Sequence, residues 1–63
     1  MKRNFKIGDR VVVRNAAAFV NVAAGDSGVI TDIQLDGTHY VKICKDGNNI
    51  VIATKQTHKF ERI

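Results

Sequence analysis

The chain reads as all-β: a five-stranded small barrel with a long first loop and a 3₁₀ turn before the last strand. Three observations lead there. Short runs of β-branched and aliphatic residues recur along the sequence. Two tight-turn dipeptides, Asp36-Gly37 and Asp46-Gly47, separate the later runs. No stretch carries a capped helical pattern of period 3.6.

Taken in order, Asp9 to Arg14 forms the first strand, with Val11 and Val13 on one face and Arg10, Val12 and Arg14 on the other. The next stretch, from Asn15 to Ser27, fits neither strand alternation nor a capped helix, and is expected to be a long loop with one helical turn. Gly25-Asp26-Ser27-Gly28 is turn chemistry. Val29 to Leu35 then reads as a second strand whose mixed pattern predicts a bend or bulge. Asp36-Gly37 closes a hairpin onto His39 to Lys45, where Val41 and Ile43 point inward while Tyr40, Lys42 and Cys44 point outward. Asp46 to Asn49 makes a second hairpin turn before a fourth strand at Ile50 to Ala53. Thr54 to Thr57 suits the 3₁₀ turn, and His58 to Ile63 a last short strand.

The 63 residues hold one domain, because a chain of this length buries only about 60% of the surface it exposes when unfolded. Residues 1–4 form a basic flexible N-terminus and residues 5–63 the barrel domain. A deep catalytic cleft is not expected at this size, nor is a cofactor. The single cysteine, Cys44, allows no intrachain disulfide. With no apolar run long enough for a signal peptide or membrane span, it points to a cytoplasmic protein without a membrane partner. Ten Lys and Arg against six Asp and Glu give a net charge of +4, which favours phosphate groups or an acidic protein surface as partner.

The segment Phe5-Lys6-Ile7-Gly8-Asp9-Arg10-Val11-Val12-Val13 resembles the opening of KOW and related SH3-like domains, written hydrophobic-x-x-Gly-Asp-x-Val-x-Val. Gly25 to Ile33 is similar to their Gly-x-x-Gly-x-Val-x-x-Ile segment. The resemblance covers roughly the first half of the chain and implies an SH3-like, KOW-like small barrel. Its glycines admit a tight turn and a close backbone approach. It also implies binding to RNA, ribosomal components or transcription machinery, thus a nucleic acid or ribonucleoprotein partner. The chain departs from such domains in having no Lys or Arg between Asn15 and Gly28. A second resemblance, to plasmid-encoded type II dihydrofolate reductase barrels, rests on Phe5 to Val11 and the closing Glu61-Arg62-Ile63. It implies a homo-oligomer around a shared pore. Where those enzymes carry Val-Gln-Ile-Tyr, this chain has Ile50-Val51-Ile52-Ala53, without the Gln or the Tyr.

Two surfaces are candidates. Arg10, Arg14, Tyr40 and Lys42 supply cations for phosphates and a ring for base stacking, with Lys55, Lys59 and Arg62 extending the patch if the last strand lies beside the first. The plainer reading is that these residues solvate the outside of a sheet. Phe19, Val20 and Val22 in the long loop suit a protein contact or a subunit interface; equally, Phe19 can fold back as a lid on the core. His39, His58, Cys44 and Asp46 lack the spacing of a metal site, and Cys44 is expected to be a small half-buried thiol. No acid pair, nucleophile elbow or phosphate loop suggests an enzyme.

Overall fold

Val11 and Val13 are completely buried on strand β1 (Arg10–Val13), while Arg10 is exposed and Val12 half-buried on the opposite face, as alternation requires. The computed structural model describes residues 5–63; the basic segment 1–4 lies outside them. The remaining elements are β2 (Ser27–Ile33), β3 (His39–Lys45), β4 (Asn48–Thr54), a 3₁₀ turn (Thr57–Lys59) and β5 (Phe60–Arg62). All neighbouring strands are antiparallel, in one sheet ordered β4-β3-β2-β1-β5, and no α-helix occurs among the described residues.

The expected bulge falls in β2, where the pairing with β3 shifts between Ile30 and Asp32. Ile30 and Ile33 are three residues apart, an odd spacing that would send them to opposite faces of a regular strand. The extra residue, Thr31, lets both turn toward the core. Its hydroxyl donates to the Tyr40 carbonyl at 3.2 Å.

Several boundaries differ from the sequence reading. β2 begins at Ser27 and ends at Ile33, which leaves Leu35 fully exposed in the following turn. There the Asp36 carboxylate accepts from Thr38 N–H, and Gly37 adopts φ +94°. Asp46 and Gly47 both have positive φ (53° and 79°), the geometry of a two-residue hairpin turn. Asn48 and Asn49 therefore belong to β4, opposite Lys45 and Cys44. The 3₁₀ turn lies three residues later than expected, with His58 inside it. The long loop holds two isolated turns in place of the helical one, and Asn15 Oδ1 accepts from Ala17 N–H at 3.0 Å.

The two glycines of the Gly-x-x-Gly segment act differently. Gly25 turns the chain with φ +99°. Gly28 sits between β1 and β3, where an added Cβ would come within 2.6 Å of the Lys42 carbonyl oxygen. One core gathers Phe5, Val11, Val13, Ile30, Val41, Ile43, Ile52 and Phe60, so every strand contributes to it. No helix is long and apolar enough to cross a membrane among the described residues.

Candidate nucleic-acid interface

Register arithmetic lines up the outer face. Arg10 pairs with Val29, Val29 with Lys42, and Lys42 with Val51. Ile63 N–H donates to the Arg10 carbonyl at 2.9 Å, which adds Ile63 to the same line. The row Ile63, Arg10, Val29, Lys42, Val51 thus runs from the residue just after β5 across β1, β2, β3 and β4, alternating aliphatic and cationic side chains, and each of its members is exposed. Tyr40 lies two residues along β3 on the same face, opposite Asp32 and Ala53. Arg10 and Lys42 stand about 10 Å apart, two strand spacings. Among the described residues no carboxylate lies within ion-pair distance of either. Together with Ser27, Gly28, Val29 and Cys44 they line a shallow hollow of about 190 Å³.

The other proposed cations are engaged elsewhere. Arg14 Nε donates to Glu61 Oε1 at 2.6 Å, across the junction of β1 and β5. Lys55 lies 3.7 Å from Asp36. Arg62 sits over the Phe5 ring at 5.5 Å and donates to Asp9 Oδ2 at 3.0 Å. Lys59 stands 5.9 Å above the Phe19 ring, beside the start of β5. The structure therefore brings Arg10, Tyr40 and Lys42 onto one face, which Arg14 shares at the end of β1 in its ion pair with Glu61, while Lys55, Lys59 and Arg62 form a rim of cations engaged in contacts of their own.

Three aspartates are held ionised by their surroundings. Asp9 is shifted below the usual carboxylate range chiefly by the Lys6 backbone N–H, which outweighs the opposing desolvation, with Arg62 assisting. Asp26 is lowered by the Ala23 N–H and by Lys45, whose ammonium lies 3.1 Å away. Asp36 is lowered by its hydrogen bonding to Thr38 and, more weakly, by Lys55. These acids order turns, as their positions in the sequence imply.

The long loop divides its apolar residues. Phe19 folds inward and stacks on Phe60, 5.5 Å between centroids and 24° between planes, and Val22 also packs against the core. Val20 points away, 78% exposed. Cys44 is exposed on the outer face, not half-buried, because β3 alternation sends it away from Val41 and Ile43. No cluster of three metal-binding side chains occurs among the described residues.

Local patterns in the sequence do not link Val29, Val51 and Ile63 to the basic residues. Only the Asp46-Gly47 turn carries part of that signal, since it fixes the register of Lys42 with Val51, whereas the bulge at Thr31 shifts β2 and the pairings of β1 are long-range. Comparison of the chain with protein-family models, with curated proteins and with solved structures found no match.

Proposed function

We propose that this chain is an SH3-like small barrel that works as a binding module, without catalysis, and contacts nucleic acid or a ribonucleoprotein through the outer face of β1, β2 and β3. The barrel reading is supported by the core. Ile52 on outer strand β4 and Phe60 on outer strand β5 share one buried cluster, and the loop residues Ala16, Phe19 and Val22 pack against it together with Ile33 and Ile50 of the same sheet. A single sheet with no second layer can bury one face this completely only by curling upon itself.

The observation that carries the functional reading is the placement of Arg10 and Lys42 on either side of Val29 with no acid in reach among the described residues. Cations without a carboxylate partner can release counterions from a phosphate backbone at no cost in broken ion pairs. Tyr40 beside them offers a ring on which an unpaired base can stack. Arg14 at the end of β1 and Lys55, Lys59 and Arg62 on the rim add long-range attraction. The competing reading, a protein contact through the long loop, keeps only Val20 as an outward anchor. The unpaired thiol of Cys44 suits a reducing, cytoplasmic setting.

Fluorescence anisotropy with short labelled single-stranded RNA and DNA tests the proposal. Binding at low salt that weakens steeply as salt rises is the expected result, and no association at low salt overturns it.

A further inference from the structure

The aliphatic members of the outer row bear on which nucleic acid it would take. Val29, Val51 and Ile63 are 37%, 60% and 66% exposed, and Val29 stands between Arg10 and Lys42. Consecutive phosphates of a strand are joined through one sugar. A strand whose phosphates meet Arg10 and Lys42 would therefore lay that sugar over Val29, and continue over Val51 on one side and Ile63 on the other. Tyr40, about 7 Å along β3 from Lys42, offers its ring to an unstacked base, which a single strand can supply and a closed duplex cannot.

The row gives a hydroxyl nothing to donate to. Arg and Lys side chains carry donors only, and Val and Ile carry neither donor nor acceptor. At Val29 the backbone is paired with a strand on each side, so ladder bonds occupy it. Ser27 and Cys44, on the same face, lie two residues along their strands, about 7 Å from the row. Asp32, opposite Tyr40, already accepts from Gln34 Nε2 at 2.6 Å and from the Ile33 N–H at 2.9 Å.

We propose that this face selects single-stranded DNA over RNA, with Val29 as the residue that discriminates. The inference rests on the reading of the outer row as a nucleic-acid contact and narrows it to one sugar. A ribose 2′-hydroxyl set over Val29 loses water and gains no acceptor, which disfavours RNA. Deoxyribose presents a CH₂ group at the same place, and its contact with the valine methyls is favourable. The cations serve both polymers alike, because the phosphates are the same, so the choice falls to the aliphatic side chains between and beside them.

Anisotropy at low salt with oligodeoxyuridine, oligouridine and 2′-fluoro-oligouridine of one length isolates the sugar, since the base is constant. The deoxy strand should bind about fivefold more tightly than the ribo strand, the effect of one hydroxyl partly stripped of water. The 2′-fluoro strand keeps the ribose pucker without the hydroxyl and should bind like the deoxy strand. Val29→Thr puts an acceptor under the sugar in a side chain of nearly the same shape, and should cut the deoxy-to-ribo ratio to about twofold or less with circular dichroism unchanged. A ribo strand bound as tightly as the deoxy strand overturns the selection and leaves nucleic-acid binding in place. So does a 2′-fluoro strand as weak as the ribo strand, or a ratio that Val29→Thr does not move. Absence of binding by all three strands overturns both the selection and the reading beneath it.

Discussion

The Phe19 ring lies nearly parallel to that of Phe60, with 5.5 Å between centroids, and closes the open side of a core that the strands alone leave uncovered. Phe60 is 1% exposed at the start of β5, so the stack ties the long loop to the last strand. Lys59 over the outer side of the Phe19 ring holds the same contact from the solvent side.

Truncating the two rings should show that division of labour. Phe60→Ala is expected to cost about 3–5 kcal/mol, as for a fully buried phenylalanine, and Phe19→Ala about 2 kcal/mol because its ring is only partly buried. Val20→Ala, on an outward residue, should leave stability within about 0.5 kcal/mol. Urea unfolding of the three variants checks the order. The double variant should fall short of additivity by roughly 0.5–1.5 kcal/mol, the share owed to the stacked pair.

Gly28 provides a second prediction, because its constraint is steric and not conformational. A methyl group there would meet the Lys42 carbonyl oxygen at 2.6 Å and the Ile43 side chain at 2.8 Å. Backbone cannot yield as a side-chain tip can, so Gly28→Ala should cost about 1–3 kcal/mol by forcing β2 and β3 apart. On a domain of this size that lowers the melting temperature by roughly 4–8 °C per kcal/mol, which differential scanning calorimetry resolves.

Acid should weaken the fold in a defined window. Asp9, Asp26 and Asp36 each have a folded-state pKa below the ordinary 3.8. Their stabilisation is therefore fully present above that value and is lost as pH falls through the lower folded-state values. Melting temperature should be nearly flat from neutral pH to about 5 and decline below about 4. Asp9→Asn, which leaves the Lys6 N–H and Arg62 without their anion, should lower the neutral plateau and make the acid decline shallower.

These cases show what the sequence carried. Local alternation sufficed to place Val11, Val13, Val41 and Ile43 inward, and the Asp-Gly pairs located both hairpins, because strand period and turn chemistry act over a few residues. The direction of Phe19 was not legible, since an apolar residue in a loop satisfies the same local rules whether it faces the core or solvent. Pairing of the cations was likewise hidden: Arg14 and Glu61 are 47 residues apart, and Arg62 and Asp9 are 53 apart. Only the fold that sets β1 beside β5 separates partnered charges from those left open on the outer face.

That separation yields a prediction about binding. If phosphates contact the outer row, each of Arg10 and Lys42 contributes about 0.7 to the slope of log affinity against log salt for a single strand. Arg10→Ala with Lys42→Ala should therefore reduce that slope by about 1.4 and weaken binding at low salt far more than at high salt. Arg14→Ala should change it less, because a phosphate would first have to displace the Glu61 carboxylate held at 2.6 Å. Tyr40→Ala should weaken binding by about 1–3 kcal/mol with the slope unchanged, since stacking releases no counterions. Anisotropy titrations at several salt concentrations distinguish the three. An equal loss of slope from Arg10→Ala and Arg14→Ala would show that the contact extends to the end of β1 and is not confined to the row across the strands.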